Sequence, residues 1–545
     1  MSLIVALVLL CSFVIVPPLV VAAEVELPRF YIDTSYVSPV GKTIVVASGG
    51  NFQAALVAAR PGDVITLAAG ATYRGPFTLP NKPDPGWITV RTSAPDSSLP
   101  PSGTRVTPAH APFMPKLVAA SGSVITAAPG AHHYRFIGTE ISPAPGTFLY
   151  NLVSLGSPDG SEAGLPHDII FDRSYLHGDP ARGTRRGIAL NSRATAVIDS
   201  HFSDFKEVGA DSQAICGWNG PGPFKIVNNY LEGAGENVMF GGADPSIHGL
   251  VPADIEIRRN HFAKPLAWKI GHPEYAGTPW TVKNLFELKN AQRVLLEGNV
   301  FERNWAHAQA GFAIVLKSAN DQGTAPWSIT QDIDFRNNVV RHSGSGVNIS
   351  GMDQLQPSQQ TKRIAIRNNL FVDIGGPLWG GDGRLFQLLE GTANVVIEHN
   401  TAFQTGVIIM AEGQQHIGFV YRNNITPHNE YGVKGTGSGV GLPTLARYFP
   451  GAVFEGNVLV GQPMDRARYP PRNFFSATPE AVGFRDPAGG DYRLAPSSPY
   501  RRGATRDRDI GVDLAALELA LREIGPTSGK KSSAGGTIPV RRREP

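Results

Sequence analysis

The sequence predicts an all-β protein built as one long solenoid, a stack of coils whose strands form parallel sheets. Three observations predict it. The chain has 61 Gly and 44 Pro among 545 residues and only 17% charged residues, a turn-rich composition that suits short strands better than helical bundles. A short Asn-containing motif recurs through the middle of the chain, and a second apolar segment falls between its copies. A repeat protein of this length can remain one domain.

The first 23 residues are expected to be a secretory signal. Residues 3–22 are apolar and end in small residues before Glu24, as at a cleavage site. The apolar run is nearly long enough for an anchor and no Lys or Arg precedes it, but Pro17 and Pro18 would break a spanning helix. We therefore expect a mature chain that begins near Glu24, has no stable membrane span and is secreted, periplasmic or at the cell surface. Retention as an anchor stays the alternative.

Cysteine and charge content restrict the remaining possibilities. Cys11 lies in the signal, which leaves Cys216 without an internal disulfide partner. The formal charge is +3, but residues 526–545 carry +4 of it, so the rest of the chain is at about −1. This excludes a basic nucleic-acid surface on the body. Residues 516–545 are expected to be the end of a helix followed by a disordered basic tail. The oligomeric state is left open.

The recurring motif is an apolar residue, two residues, Asn, one residue and another apolar residue. Its copies are 24 to 39 residues apart, as expected for coils of constant size with loops of variable length inserted. An Asn at a turn between strands tolerates left-handed backbone angles and can bond the Asn of the next coil. The same frame is expected to continue upstream through His201, Ser174 and Thr139. The motif Asn residues are Asn229, Asn260, Asn299, Asn338, Asn369, Asn400, Asn424 and Asn457.

Second strands lie between the Asn motifs, with their midpoints 9 or 10 residues after the Asn in several coils. Each coil therefore carries at least two strands that stack on those of the next coil. The predicted second strands are IALNS, AICGW, NVMFGG, LFELKN, AIVLKS, GVNISG, RLFQLLEG, GVIIMAEG and YGVKG.

With these motifs, residues 43–515 resemble the right-handed parallel β-helix superfamily, the pectate-lyase-like group. The segment GGNFQAALVAARPGDVITL is similar to the N-terminal cap of that family, a short amphipathic helix followed by a strand at residues 64–67. A cap covers the open end of the solenoid core. The segment DYRLAPSSPYRRGATRDRDIGVDL is similar to the closing segment of many such proteins, and a helix near 514–524 should follow it. The body is therefore expected to be a right-handed parallel β-helix domain over residues 24–515.

Members of this superfamily mostly cleave or modify acidic polysaccharides, so the resemblance implies such a substrate. The galacturonase and pectate lyase motifs are absent from this sequence. The chondroitinase B and alginate lyase group has a Lys-Ser followed downstream by Arg-His-Gly. Lys317-Ser318 and Arg341-His342 are similar to this pattern, but Ser343 stands where the group has Gly. Resemblance in fold does not by itself establish function.

The stretch LFELKN places Glu287 and Lys289 side by side on the outer face of a strand, because Phe286 and Leu288 face inward. Apolar positions register neighbouring coils and stack the outward residues at about 5 Å per coil. The outward pairs, coil by coil, are Cys216 and Trp218, Met239 and Gly241, Glu287 and Lys289, Val315 and Lys317, Asn348 and Ser350, and Gln387 and Leu389.

Long insertions at residues 263–283, 302–311 and 372–384 are expected to wall this face, and binding sites concentrate on such loops. Five of the seven tryptophans fall in or beside the region, and aromatic faces suit sugar rings. The predicted substrate-binding residues are Trp218, Asn348, Gln387, Trp305 and Asp211.

We predict a lyase that acts on an acidic glycan, with Lys289, Lys317 and Glu287 as catalytic residues. Repulsion between the two lysines would lower one pKa and make that amine a base. Glu287 would orient a lysine or hold Ca²⁺; the metal requirement stays open. The structural alternative is an ordinary cross-strand ion pair. The functional alternative is a non-catalytic, adhesin-like glycan-binding protein. A hydrolase is less well supported because lysines, rather than paired Asp residues, occupy the face.

Overall fold

The computed structural model describes residues 24–156, 160–461 and 465–522. The expected signal and the basic tail lie outside the described residues. Within this part, almost all strands belong to three long parallel sheets, named A, B and C in the order in which the chain enters them. No helix of the described residues is long and apolar enough to cross a bilayer.

Sheet A has 14 strands and begins each coil. Its strands are Thr43–Val46, Val64–Leu67, Ile88–Thr92, His132–Ile137, His167–Asp172, Arg193–Ile198, Gly222–Val227, Ala253–Arg258, Ala291–Glu297, Thr330–Arg336, Lys362–Arg367, Ala393–Glu398, Val420–Arg422 and Val453–Glu455.

Sheet B has 14 strands and follows the Asn turn. Its strands are Thr72–Arg74, Lys116–Ala119, Glu140–Pro143, Tyr175–His177, His201–Ser203, Tyr230–Glu232, His261–Ala263, Val300–Asn304, Val339–Ser343, Leu370–Ile374, Thr401–Gln404, Ile425–Pro427, Val458–Val460 and Phe474–Ser476.

Sheet C has 12 strands and closes each coil. Its strands are Phe77–Leu79, Ile125–Ala127, Asn151–Leu155, Arg186–Leu190, Gln213–Gly217, Glu236–Phe240, Phe286–Leu288, Phe312–Lys317, Ser345–Ser350, Phe386–Leu389, Ile409–Glu412 and Val433–Gly435.

The remaining regular elements are few and short. An antiparallel hairpin pairs Phe484–Asp486 with Asp491–Leu494. The α-helices are Phe52–Ala58, Leu442–Tyr448 and Leu514–Leu521. The 3₁₀ turns are Asp96–Ser98, Pro108–Phe113, Glu162–Gly164, Leu266–Trp268, Arg466–Arg468, Glu480–Val482 and Thr505–Asp507.

The chain is a right-handed parallel β-helix, as the sequence predicts, with three strands per coil rather than the minimum of two. Inward side chains of all three sheets form one apolar core along the axis. Aromatic rings stack there from coil to coil: the ring centroids of Phe262 and Phe301 are 4.4 Å apart, and those of Phe301 and Phe335 are 5.6 Å apart. Each such buried side chain contributes about 1.5–3 kcal/mol. Cys216 is a free thiol in the described part of the chain, so the packing of this core, rather than a disulfide, stabilises that part.

The Asn motif forms a continuous hydrogen-bonded ladder at the turn from sheet A to sheet B. Nδ2 of Asn299 donates to Oδ1 of Asn338 at 3.0 Å, and Nδ2 of Asn338 donates to Oδ1 of Asn369 at 3.1 Å. Two details differ from expectation. The upstream member of the ladder is Ser200 rather than His201, since its hydroxyl receives the main-chain N–H of Ser174. The left-handed residue is the one before the ladder Asn, as at Asn337, whose φ is 54°.

The helix Phe52–Ala58 caps the N-terminal end as expected, with Phe52 and Leu56 buried. At the other end the helix Leu442–Tyr448 buries Leu445 and Tyr448 in the same core. The helix Leu514–Leu521 packs Leu514 and Leu517 against Leu370, on the outside of sheet B. None of these helices covers the outer face of sheet C, which is left to the loops.

Candidate functional site

The floor of the candidate site is the outer face of sheet C, and its register is as the sequence predicts. Phe286 pairs with Ile314 and Leu288 with Leu316, while Glu287 pairs with Val315. One coil further, Lys317 pairs with Ser350. Glu287 and the two predicted lysines therefore lie on neighbouring coils of one face.

Glu287 is the centre of a compact charge cluster. It is only 2% exposed. Its Oε1 lies 3.9 Å from Nζ of Lys289 and 3.8 Å from Nζ of Lys317. Its Oε2 accepts a hydrogen bond of 2.9 Å from Nδ2 of Asn284. The side chain of Lys317 is 34% exposed against 14% for Lys289, so Lys317 is the more accessible amine of the pair.

The expected lowering of a lysine pKa is not found at Lys289. Burial alone would lower the pKa of Lys289, but the carboxylates of Glu287, Asp321 and Glu236 outweigh it and raise the pKa above its ordinary value. Nζ of Lys289 lies 3.3 Å from Oδ1 of Asp321. Lys289 is therefore an ammonium at neutral pH, suited to neutralising a negative charge rather than to accepting a proton. The sequence predicts that repulsion between Lys289 and Lys317 lowers the pKa of one of them; at Lys289 the nearby carboxylates produce the opposite shift.

Glu236 is a member of the cluster that the sequence reasoning missed. It is fully buried at the start of its strand. Nε2 of Gln213 donates to its Oε2 at 2.7 Å, while its Oε1 has no hydrogen-bond partner. Burial and the carboxylates of Glu287 and Asp211 raise the pKa of Glu236 to about 7. A buried carboxyl that titrates near neutrality is typical of functional sites.

Lys283 joins the predicted residue Asp211 to this cluster. Its Nζ lies 2.6 Å from Oδ1 of Asp211 and 3.8 Å from Oε1 of Glu236. This ion pair with Lys283 holds Asp211 beside Glu236 and Glu287. The side chain of Asp211 is 35% exposed. The alternation of inward and outward residues along the strands could not predict Lys283, because this residue lies at the end of a long insertion and not in a strand.

Loops border the floor on two sides rather than one. The predicted insertions come from the turns between sheets B and C. The second wall consists of loops 241–252 and 318–329 between sheets C and A, joined where Thr324 donates its main-chain N–H to Oδ2 of Asp244 at 2.8 Å. This wall supplies Asp321, the partner of Lys289. Sheet C is therefore the base of a groove.

The insertions at residues 263–283, 302–311 and 372–384 form the first wall of the groove. Their tryptophans stabilise this wall and do not face the groove. Trp268, Trp280 and Trp305 are 4%, 7% and 3% exposed and form a separate apolar cluster. Nζ of Lys206 lies 5.0 Å from the ring centroid of Trp280, a cation–π contact. Trp379 is buried as well. The sequence predicts Trp305 as a substrate-binding residue, but its ring is buried among the other loop tryptophans and is not exposed to the groove.

Trp218 is the predicted tryptophan that does reach the groove. It is half-buried and lines a cavity of about 330 Å³ on sheet C, together with Asn151, Asn191 and Asn219. The guanidinium of Arg186 lies 5.3 Å from the Trp218 ring. An aromatic ring and amides that line one cavity, with a cation beside the same ring, are groups that can bind a charged sugar.

Asn348 and Gln387 continue the floor in the other direction. Nδ2 of Asn348 donates to Oε1 of Gln387 at 3.1 Å, and Nε2 of Gln387 donates to Oε1 of Glu412 at 2.6 Å. Nη1 of Arg384 lies 3.6 Å from Oε1 of Glu412. The predicted polar row is thus present, with Asn348 the more exposed of the two amides.

Arg341 and His342 do not converge with Lys317. They lie on sheet B, where Arg341 pairs with Glu302 at 2.5 Å and His342 with Asp373 at 2.8 Å. Cys216 lies on sheet C but is buried, and burial raises the pKa of its thiol to about 12. These residues therefore contribute no group to the floor of the groove.

The donor set around Glu287 does not suit Ca²⁺. Calcium takes six to eight oxygen ligands. Both carboxylate oxygens of Glu287 face nitrogen atoms, from Lys289 and Lys317 on one side and Asn284 on the other. The Nζ atoms of Lys289 and Lys317 occupy the place beside Oε1 that a cation would take.

No protein-family model matches this chain, and no curated protein matches it. Solved structures with a similar fold include a mannuronic-acid-specific polysaccharide family 6 lyase from human gut microbiota, with 12% identity and a TM-score of 0.47 over 89% of this chain and 99% of that one. The PL6 family alginate lyase AlyGC has 14% identity and a TM-score of 0.47 over 90% of this chain, which spans 59% of that enzyme. The Dettilon tailspike protein has 12% identity and a TM-score of 0.37 over 76% of this chain and 62% of its own. These likenesses concern the fold alone.

Proposed function

We propose that this chain binds an acidic polysaccharide along the outer face of sheet C and cleaves it as a lyase. The observation that carries the proposal is the placement of two lysine Nζ atoms at 3.8 and 3.9 Å from one buried carboxylate oxygen, at the base of a loop-walled groove. A secreted protein would meet such polymers, which accords with the expected signal.

The groove has the dimensions of a polymer site. Trp218 and Gln387 belong to coils that are five steps apart on sheet C. At the spacing of neighbouring strands this corresponds to about 24 Å, enough for several sugar units. Cationic and aromatic groups lie at the Trp218 end, while the charge cluster lies in the middle. A chain of uronate units could therefore contact both at once.

In the proposed lyase step the two lysines have different roles. The ammonium of Lys289 neutralises the uronate carboxylate, which acidifies the neighbouring C–H bond. Lys317, in its amine form, removes that proton; the electron pair forms a carbon–carbon double bond while the bond to the glycosidic oxygen breaks. The Lys317 ammonium returns the proton to the departing oxygen, so the amine is regenerated. General base catalysis of this kind contributes typically 10²–10⁴-fold.

Glu287 and Asn284 act as positioning residues in this proposal. Glu287 is too buried to contact a polymer directly, but its Oε1 lies between the two lysines. Asn284 fixes the other oxygen. The carboxylate thereby holds both amines at the floor of the groove.

A non-catalytic glycan-binding role is the second candidate. The raised pKa of Lys289 and the ion pairs of Lys283 with Asp211 favour it, because a fully paired charge network also makes a rigid binding surface. Solenoids form long surfaces of this kind without any active site.

The test is a screen of uronate polymers with the full chain. Polymannuronate, polyguluronate, polygalacturonate and chondroitin are incubated with the protein, and unsaturated product is followed by its ultraviolet absorbance. Polymannuronate is included because one structure of similar fold is described as mannuronic-acid-specific. Product from one polymer supports the lyase. Binding by calorimetry without product supports the second candidate, and neither binding nor product on any acidic polymer contradicts both.

A further inference from the structure

A second cluster of chemically active side chains lies outside the groove, at the start of two neighbouring strands of sheet A. His133, His167 and Asp168 each offer one ligand atom, and these atoms all lie within 4.8 Å of one another. His132 adjoins them, because it pairs with His167 in the register of the sheet. All three side chains of the group are half-buried, so the cluster is accessible from solvent.

The rings are packed in an ordered way. The rings of His132 and His167 stack with centroids 4.9 Å apart and planes 14° apart. Nδ1 of His132 lies 2.7 Å from Nδ1 of His133. Such a contact requires one nitrogen to carry a proton and the other a lone pair, so at least one ring is neutral. Neutral imidazole is the form that binds metal ions.

The positions of His133 and Asp168 have counterparts in later coils, and the side chains there show how a carboxylate at this position is balanced. His133 and Asp168 are left-handed residues, with φ of 58° and 51°, in a row that recurs in successive strands of sheet A. In later coils the row holds oppositely charged partners. Arg293 bonds Asp254 at 2.8 Å, and Arg363 bonds Asp332 at 2.5 Å. There a guanidinium balances each carboxylate.

At Asp168 the row has no arginine. The carboxylate instead contacts Nδ1 of His167 at 2.6 Å, and imidazoles surround it. Ala194 occupies the next position of the row and carries no charge. Imidazole nitrogen and carboxylate oxygen are the usual ligands of Zn²⁺, and three protein ligands leave one position open for water.

We propose that His133, His167 and Asp168 bind a divalent transition metal ion of the Zn²⁺ type, with His132 orienting the ring of His133. The ion takes the place that arginine has in the later coils and ties together two adjacent coils of sheet A. This site is independent of the proposed glycan chemistry, since it lies on a different sheet.

The test uses the full chain after treatment with a chelator and dialysis. Zn²⁺ is titrated by calorimetry, and Co²⁺ is added as a spectroscopic probe whose visible bands report nitrogen and oxygen ligands. The variants are His133→Asn and Asp168→Asn, because Asn tolerates the left-handed backbone at both positions, and His167→Gln. The matched control is His342→Ala, which breaks a His–Asp contact of 2.8 Å on sheet B.

We expect one Zn²⁺ per chain, a higher melting temperature with Zn²⁺, and affinity weakened at least tenfold in each of the three variants but unchanged in the control. Thermal melts without metal establish that each variant is folded. Absence of stoichiometric binding to the wild type would overturn the proposal. The proposal would also be overturned if His342→Ala weakened the affinity for Zn²⁺ as much as the three cluster variants do.

Discussion

At the scale of single residues, burial distinguishes Glu236 from the ordinary surface carboxyls of the chain. Burial and nearby carboxylates raise its pKa from 4.5 to about 7. Between these values the folded protein retains a proton that the unfolded chain has lost, so stability falls as pH rises through this window. Above pH 7 the buried charge is a net cost to the fold.

We therefore predict that Glu236→Gln changes the pH dependence of stability. At pH 8 the variant should be more stable than the wild type, because it no longer carries the buried charge, and this advantage should disappear at pH 5. Urea unfolding at the two pH values measures it. Glu274→Gln, at an exposed position, is the control and should show no such difference. An equal effect of Glu236→Gln at both pH values would show that Glu236 does not titrate in this range.

The sequence could predict some of these residues and not others. Glu287, Lys289 and Lys317 follow from alternation within strands whose inward residues are clearly apolar. Glu236 escapes the same rule, because alternation counted from the core residue Val238 places it inside the solenoid. It lies instead at the corner where the strand begins. The exposure of Trp305 could not be predicted either, since loop aromatics can line a groove or pack on one another.

At the scale of elements, the Asn ladder determines the turn between sheets A and B. Asn338 is fully buried and bonds on both sides. Its Oδ1 receives two N–H groups of Asn299, and its Nδ2 donates to Asn369 and to the carbonyl of Leu296. The sequence predicted these contacts because the Asn recurs at the same point of each coil. It did not predict three sheets, since the short strands of sheet B follow the Asn too closely to form a separate pattern.

We predict that Asn338→Ala lowers the free energy of unfolding by about 3 kcal/mol, because it leaves several buried polar groups unpaired at 1–3 kcal/mol each. Chemical denaturation measures the loss. The exposed Gln356→Ala, which has no ladder contact, should change it by less than about 0.5 kcal/mol. A loss at Asn338 no larger than that of the control would mean that the ladder does not stabilise the turn.

At the scale of the whole molecule, an N-terminal strap, residues 24–36, runs along the outside of sheet A. The main-chain N–H groups of Glu26 and Arg29 donate to Asp332 and Asp254 at 3.1 and 2.8 Å. Further along, Nη1 of Arg135 donates to the carbonyl of Thr34 at 2.9 Å. The strap therefore bridges coils that are far apart in the stack.

Removal of residues 24–36 should lower the melting temperature by several degrees, because the charged side chains of sheet A lose these partners. Differential scanning calorimetry measures the change. Arg29→Ala is the control: it keeps the main-chain contact with Asp254 and should alter the melting temperature much less. Identical melting of the shortened and complete chains would show that the strap is not a stabilising element.

The central claim also belongs to the scale of the whole molecule: the groove on sheet C is proposed as the place where the polymer is cleaved. The most direct measurement is the turnover of whichever uronate polymer the wild type degrades, by Lys317→Ala and Lys289→Ala, against Lys362→Ala on sheet A as the control. We predict a loss of at least 10²-fold in kcat for Lys317→Ala, the loss expected for a general base, and a marked loss in kcat/KM for Lys289→Ala, with melting temperatures and the control unchanged. Turnover by both groove variants at the rate of the wild type would contradict the assignment of the site.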